Sequence, residues 1–402
     1  MNSNKSLYLI IFIIFNSYQV FSQAASWQWA KRGGTTAFSD NITAMTRDKH
    51  GNVYLLSDNR GTVNVDGHIY SRSDGQMTLS SWDCNGNYRW MKVFGGKQSG
   101  IQISGLQLAT DTLEGVYVSG YVTMTKTTDT AYFDSDSVIH GISCSYIIKY
   151  NSLGQKQWLK MPQIVTSIGG NNSVNLHKLY VSPNGRVFWY AYLAPGGYDN
   201  NSFFITTNGY HIVEFNAMGN YKKKQTLPIS FTYPSGIVSC FQRNDINGSF
   251  IVAGSFVSSQ SGTLSINGVS IQSINNSSPL YLATFDSTGK NIWVKQGSAN
   301  KMSTNLYLKI NKDGNLYFGG NSSTNTVFNG DTLVYSTDTS FKALPFVAAL
   351  DTTGKLMWQS NPTYKGNVYT TQLALEGLDY SNNTIGIAGY YNDTLEWDGK
   401  QL

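Results

Sequence analysis

The chain has 402 residues, and its 29 Lys and Arg against 24 Asp and Glu leave a formal net charge of +5, with only 13% of positions charged. So few charges exclude a disordered polyelectrolyte and a basic nucleic-acid-binding tail. Hydrophobic residues make up 41% of the chain, with 39 Gly and only 8 Pro, which predicts a globular protein without a nucleic-acid partner.

The first 22 residues have the three-part pattern of a secretory signal. Lys5 precedes the apolar run 7–15, and Ser22 stands at the expected cleavage point. This run is too short to span a hydrocarbon core, which needs roughly 20 residues in a helix. We therefore predict a signal peptide over 1–22 and a mature chain over 23–402 that is secreted or displayed at the cell surface. No transmembrane segment is expected after signal removal.

Three cysteines follow the signal, at Cys84, Cys144 and Cys240. Disulfides are permitted in an exported protein, but an odd number leaves at least one cysteine unpaired within the chain. The sequence contains no CxxC pair and no Cys/His cluster at metal-ligand spacing. We expect scattered, half-buried strand residues rather than a redox or metal site.

Two turn motifs alternate along the rest of the chain. The first is a turn rich in Asp, Asn and Gly that leads into an aromatic or aliphatic strand. Its glycines are Gly51, Gly115, Gly185, Gly248 and Gly314, at steps of 64, 70, 63 and 66 residues. A sixth copy is expected near position 380, where Asn382 and Asn383 stand, because Asn also tolerates a positive φ.

The second motif is a tight turn followed by a strand that ends in Trp. Its turn glycines are Gly86, Gly154, Gly219, Gly289 and Gly354, so the mean period is (354 − 86)/4 = 67 residues. The corresponding tryptophans are Trp90, Trp158, Trp293 and Trp358, and Trp29 opens the mature chain in the same pattern. The third repeat has Lys223 at this position. We expect these tryptophans to pack between repeats as structural residues.

Short β-branched and aromatic runs between turns, without sustained helical periodicity, predict an all-β chain. We assign four strands to each repeat, exemplified by strands around Leu306–Ile310, Leu316–Gly320, Pro345–Leu350 and Lys355–Trp358. A four-stranded unit of about 67 residues cannot bury both of its faces alone, so the units must stack. We predict a β-propeller of four-stranded blades with six repeats visible, and we consider a linear solenoid the competing architecture.

The two ends of the chain bear on closure of the predicted ring. Trp29 begins a strand that elsewhere ends a repeat, so it can pair with the final unit. The last repeat stops at Trp397-Asp398-Gly399, before its third and fourth strands. From the sequence we expect a C-terminally truncated propeller domain over 23–402.

Segments 345–358 and 89–96, read as PFVAALDTTGKLMW and RWMKVFGG, resemble the SBBP-type β-propeller repeats of exported bacterial proteins. The resemblance covers roughly residues 27 to 402 and implies a secreted or surface-displayed propeller without a shared chemistry. The signal ending in Val20-Phe21-Ser22-Gln23 is similar to signals of Bacteroidota.

Motifs for catalysis and cofactor binding are missing from the sequence. It contains no HExxH, GxSxG or GxGxxG, and no Gly-Lys pair is followed by Ser or Thr as a P-loop requires. The five histidines are dispersed, and His50 lies in a turn. Asp and Asn at the turns are explained by turn geometry, so we predict no catalytic residue, no metal and no cofactor.

An irregular segment of the third repeat, 190–203, offers the best candidate for ligand contact. It is rich in aromatic, amide and Gly residues, and we select Tyr192, Tyr198, Asn200 and Asn201 as candidate ligand-binding residues.

These observations predict a non-enzymatic binding or adhesion scaffold for a glycan or protein. The alternative is a carbohydrate-active hydrolase or lyase with carboxylates in the central channel, since propeller sites assemble from several blades without a local motif. Two or more Asp or Glu side chains within about 10 Å of one another in a central pocket would favour the enzyme, and a lining of amides and hydroxyls would favour the binder.

Overall fold

The computed structural model describes residues 33–35, 41–59, 61–70, 75–96, 101–124, 126, 128–134, 138–140, 144–162, 175–231, 236–256, 263–272, 279–298, 301–323, 326–328, 330–334, 344–364, 373–381, 384–391, 395–397 and 400–401. Within these ranges every regular element is a β-strand, and the strands form small antiparallel sheets. The all-β prediction is confirmed. No helix in the described ranges is long and apolar enough to cross a membrane.

The strands form six consecutive units after β1 (Gly33–Thr35). Unit 1 contains β2 Asn41–Arg47, β3 Val53–Asp58, β4 Val63–Val65, β5 His68–Tyr70, β6 Gly75–Trp82 and β7 Tyr88–Gly96. Unit 2 contains β8 Gln102–Thr110, β9 Val116–Thr123, β10 Thr130–Phe133, β11 Val138–His140, β12 Cys144–Tyr150 and β13 Lys156–Lys160. Unit 3 contains β14 Asn175–Val181, β15 Val187–Leu193, β16 Gly196–Tyr198, β17 Phe203–Ile205, β18 Gly209–Phe215 and β19 Tyr221–Leu227, followed by β20 Ile229–Phe231.

The same order continues towards the C-terminus. Unit 4 contains β21 Gly236–Arg243, β22 Phe250–Phe256, β23 Thr263–Ile266, β24 Val269–Gln272, β25 Leu280–Phe285 and β26 Asn291–Ser298. Unit 5 contains β27 Lys301–Ile310, β28 Leu316–Ser323, β29 Thr326–Phe328, β30 Asp331–Val334, β31 Leu344–Leu350 and β32 Leu356–Ser360, followed by β33 Thr363–Tyr364. Unit 6 contains β34 Leu373–Ser381, β35 Thr384–Tyr391, β36 Leu395–Trp397 and β37 Lys400–Gln401.

Units 1 to 5 each contain a four-stranded meander. In unit 2 its order is β8-β9-β12-β13, and in unit 5 it is β27-β28-β31-β32, so the four strands predicted for that repeat are confirmed. Hydrophobic clusters lie between the sheets of successive units, and the first strand of each unit packs against the first strand of the next. The core is therefore divided among the interfaces between units.

The turns between strands 1 and 2 and between strands 3 and 4 share one hydrogen-bonding pattern, with one additional residue in the first turn of unit 4, from Asn244 to Ser249. Asp48 is representative: its N–H donates to the Asn52 carbonyl, its carbonyl accepts from the Gly51 N–H, and its Oδ1 accepts from the N–H groups of His50 and Asn52. The first residue of such a turn is Asp, Asn or Ser because its side chain satisfies these backbone donors. Strand pairing thus begins at a fixed residue in each unit.

One turn departs from the predicted glycine pattern. In unit 2 the backbone hydrogen bond joins Asp111 and Gly115, so Gly115 corresponds to Asn52 and not to Gly51. The left-handed position is occupied by Glu114, with φ 65°. The sequence alignment that matched Gly115 to Gly51 was wrong by one residue because Gly follows the strained position here.

A small hairpin between strands 2 and 3 pairs with a strand that precedes its unit in units 1, 2, 4, 5 and 6, whereas the hairpin of unit 3, β16-β17, forms a two-stranded sheet of its own among the described residues. The hairpin of unit 2 pairs with β7 of unit 1, and that of unit 5 pairs with β26 of unit 4. The hairpins of units 1, 4 and 6 pair in the same way with β1, β20 and β33. Lys92 and Lys160 also connect successive units, since their ammonium groups lie 2.6 and 3.1 Å from carboxylate oxygens of Asp134 and Asp199 at the next hairpin.

The cysteines differ in environment. Cys144 and Cys240 are buried in strands, whereas Cys84 is exposed in a turn, so the expectation of a half-buried strand residue was wrong for Cys84. No disulfide joins these three residues, all of which lie in the described part of the chain. The predicted signal 1–22, Trp29, Asn382, Asn383 and the Asp398-Gly399 turn lie outside the described residues.

Candidate functional site: a cleft at the turn face

The turns between strands 1 and 2 and between strands 3 and 4 lie at the same end of each antiparallel sheet, and we name this surface the turn face. Hydrogen bonds join first turns of neighbouring units across it. The Lys49 ammonium donates to the Thr112 carbonyl (2.9 Å), and the Thr112 N–H donates to the Pro183 carbonyl (2.9 Å). The Tyr180 hydroxyl donates to Asp245 Oδ2 (2.5 Å). The first turns of units 1, 2 and 3 are therefore hydrogen-bonded to one another, and the end of β14 in unit 3 is bonded to the first turn of unit 4.

A cleft of about 650 Å³ lies between the first turns of units 1, 2 and 3. It is lined by residues 47–51, 110–112, 180, 181 and 183. Because each unit supplies a different part of the lining, no local sequence motif marks the cleft. Sequence reasoning treated its residues as ordinary turn residues.

The two carboxylates that line the cleft both accept hydrogen bonds from neighbouring groups of the protein. Asp48 is 6% exposed, and its Oδ2 accepts from the Asn52 amide and from the Tyr54 hydroxyl (2.9 Å). Burial raises the pKa of Asp48, but hydrogen bonds from Asn52 and Tyr54 outweigh it and hold the pKa below its ordinary value. Asp111 accepts from two backbone N–H groups and from the Tyr117 hydroxyl (2.6 Å). Neither carboxylate has the freedom that acid–base chemistry requires.

His50 lies at the rim of the cleft, and its imidazole contacts Glu114, a residue outside the cleft lining. Its Nε2 lies 3.1 Å from Glu114 Oε1, and the Ser152 hydroxyl donates to Glu114 Oε2 at 3.0 Å. The hydrogen bonds from Ser152 and His50 lower the pKa of Glu114. The carboxylate thus remains ionised while it connects a turn of unit 1 with both turns of unit 2.

The repeated tryptophans lie between units, beside the turn face. Trp90, Trp158 and Trp293 donate from Nε1 to the carbonyls of Ser152, Ala217 and Thr352 in the following unit, at 2.8, 3.0 and 3.1 Å. Each ring also covers the turn glycine of that unit: a Cβ at Gly219 would lie 2.9 Å from Trp158. In unit 3 the equivalent carbonyl, of Ser287, accepts from the Gln225 side-chain amide and from the Lys223 ammonium at 3.4 Å. Trp358 is 40% exposed.

The four ligand-binding candidates from the sequence do not form one surface. Tyr198 is fully buried, and its hydroxyl donates to the Ala194 carbonyl at 2.8 Å, so assigning it to ligand contact was wrong. Asn200 and Asn201 are exposed in a hairpin turn at φ 55° and 63°, which explains the choice of Asn by backbone conformation. Tyr192 is 42% exposed and lies edge-on to Tyr210. These residues belong to unit 3 and do not line the cleft.

No group of three or more His, Cys, Asp or Glu side chains within the described ranges is placed to hold a metal ion. The two buried cysteines have thiols whose pKa is raised to about 12 by burial, which suits them to packing.

No protein-family model and no curated protein matches the chain. It is similar to a solved protein of unknown function from Dyadobacter fermentans, with 11% identity and a TM-score of 0.38 over 79% of this chain and 95% of that one. It also matches the extracellular domain of a hybrid two-component system from B. thetaiotaomicron, with 9% identity and a TM-score of 0.14 over 79% of this chain and 64% of that one. A further match is the extracellular domain of a one-component system from B. thetaiotaomicron, with 9% identity and a TM-score of 0.13 over 92% and 78% of the two chains.

Proposed function

We propose that the chain is an exported β-propeller that serves as a non-enzymatic binding or adhesion scaffold for a glycan or protein at the cell surface. Successive sheets pack face to face along their first strands, which supports radial stacking.

The observation that carries the binding proposal is the cleft shared by three first turns. Ligand sites are concave and combine a few fixed polar groups with a largely preformed wall. Here the wall is fixed by hydrogen bonds between units, and it presents Arg47, Lys49, His50 and the side of the Tyr180 ring. Export rests on the signal pattern of 1–22.

The enzymatic alternative needs two available carboxylates near the scissile bond. The carboxylates of this cleft, Asp48 and Asp111, cap turns and accept hydrogen bonds from backbone and tyrosine. This arrangement favours binding without turnover.

A cleft-filling variant tests the proposal. Thr112→Trp places a large ring in the cleft from an exposed turn tip, and Thr353→Trp places the same ring on an exposed tip of unit 5, away from the cleft. Both proteins and the parent chain are applied to a panel of neutral and acidic oligosaccharides. We expect Thr112→Trp alone to abolish binding. Equal binding by both variants would locate the site elsewhere. If the parent chain binds none of the oligosaccharides, the glycan part of the proposal is contradicted.

A further inference from the structure

Glu114 breaks a rule that the other turns obey. In nine corresponding turns of the described chain the left-handed position is Gly, from Gly51 in unit 1 to Gly354 in unit 5. Glu114 adopts φ 65° there. An L-residue with a side chain is disfavoured in this conformation. Such backbone strain is found where the side chain has a functional role that Gly could not fill.

The Glu114 side chain orients the imidazole ring of His50. Its carboxylate lies 3.1 Å from His50 Nε2, and Ser152 holds the second oxygen from the other side. Because a carboxylate oxygen can only accept, Nε2 carries the proton of this contact, and in the neutral imidazole Nδ1 is then an acceptor. His50 lines the cleft, so its position is set by a residue outside the cleft.

The cations of the cleft are less constrained than its carboxylates. Lys49 uses one ammonium proton on the Thr112 carbonyl and keeps two donors. The Arg47 side chain is exposed, and among the described residues it has no hydrogen-bond or ion-pair partner within 4.0 Å. Asp48 and Asp111 are buried behind this surface with their oxygens occupied. The accessible charge of the cleft is therefore positive.

We propose that the cleft binds a glycan that carries a carboxylate, such as a hexuronate oligomer. Arg47 and Lys49 recognise the carboxylate, because a guanidinium fork and an ammonium form charge-assisted hydrogen bonds with it. His50 accepts a hydrogen bond from a sugar hydroxyl, and Glu114 is its positioning residue. This inference rests on the proposed binding function and names the class of its ligand.

Calorimetric titration with a short oligogalacturonate and with the neutral galactan oligomer of equal length tests the ligand class. We expect the acidic oligomer to bind at least about tenfold more tightly, the advantage of a charge-assisted hydrogen bond over a neutral one. Arg47→Gln and Lys49→Gln should each remove most of that preference, whereas Lys290→Gln, on an exposed turn of unit 4, should not. Equal affinity for both oligomers would overturn the inference and leave the cleft as a binding site for neutral ligands.

Glu114→Gly tests the positioning role against a purely structural one. Restoring Gly relieves the backbone, so we expect an unchanged or raised melting temperature together with binding about tenfold weaker, the loss of one fixed hydrogen bond to the ligand. Ser152→Ala removes the outer contact of Glu114 and should change affinity little. A lower melting temperature with unchanged affinity would identify Glu114 as a structural tie only and would overturn its role.

Discussion

At the residue scale, the tryptophans and their glycine partners fix the contact between one unit and the next. The Trp158 ring lies on Gly219, and its Nε1–H donates to the Ala217 carbonyl. Close packing and a hydrogen bond therefore both join unit 2 to unit 3. The sequence predicted such packing from the period alone. It could not predict that Gln225 and Lys223 would supply the donors where unit 3 lacks the ring, because polar side chains at strand positions are ordinarily solvated surface residues.

Trp158→Ala should lower the free energy of unfolding by about 3 kcal/mol, since it removes a large ring from an interface that cannot close over the gap. Trp358→Ala is the matched control, because Trp358 is 40% exposed and should cost about 1 kcal/mol or less. Urea unfolding measures both. Equal losses would contradict the packing role of Trp158.

His211 predicts a dependence of stability on pH. It is 2% exposed, its Nδ1 lies 3.2 Å from the Thr226 hydroxyl, and burial lowers its pKa from 6.5 to about 4. The unfolded chain takes up the proton first as pH falls, so stability is full above about pH 6.5 and decreases towards about pH 4, by about 3 kcal/mol in total. In His211→Gln this part of the pH slope should vanish when unfolding is measured across that window; an unchanged slope would assign it to other groups.

At the scale of elements, the register of the first strand shifts in all six units. The shift lies between Ile42 and Ala44 in unit 1 and between Gly105 and Gln107 in unit 2. No residue type marks these bulges in the sequence, because a bulge reflects strand pairing and close approach of neighbouring sheets. Strand number and turn positions were predictable from local chemistry, whereas bulges and the pairing of small hairpins with the preceding unit were not.

Gly120, beside the bulge of unit 2, has no room for a side chain. A Cβ there would lie 1.9 Å from the Ser104 carbonyl oxygen, which is backbone and cannot move aside freely. Gly120→Ala should cost about 3 kcal/mol through overpacking. Gly268→Ala is the control, since its Cβ meets open space and only its φ of 82° is strained, at about 1 kcal/mol. Thermal unfolding ranks the two; a larger loss for Gly268→Ala would contradict this account.

At the scale of the whole molecule, stability depends on interfaces between like units, and unit 3 has the weakest version of the tryptophan contact. Lys223→Trp should raise the free energy of unfolding by about 1 kcal/mol, as consensus substitutions commonly do. Lys222→Trp, at the adjacent exposed position, should give no gain. Calorimetry distinguishes them. A loss of stability for Lys223→Trp would mean that the surroundings of Ser287 have adapted to lysine.

The candidate site also belongs to this scale. His50 and Glu114 lie in the first turns of units 1 and 2 and Tyr180 lies in the first strand of unit 3, so only the assembled units bring the cleft together. The sequence offered one signal that could have pointed to it, namely Glu in place of Gly at the strained turn position. Recognising that signal requires matching Glu114, and not the adjacent Gly115, to the glycine position of the other turns. The sequence alone favours Gly115 for that position.

The small hairpins make some neighbouring units share a sheet: the hairpins of units 2 and 5 are hydrogen-bonded to the last strand of the unit before them. A segment cut out at the sheet boundaries would therefore leave one strand edge bare and one hairpin without a neighbour. Gain or loss of a repeat by recombination preserves all pairings only when every junction carries a compatible hairpin and final strand. The structural module is thus the joint between two sheets, and the ion pairs of Lys92 with Asp134 and of Lys160 with Asp199 lie at two such joints.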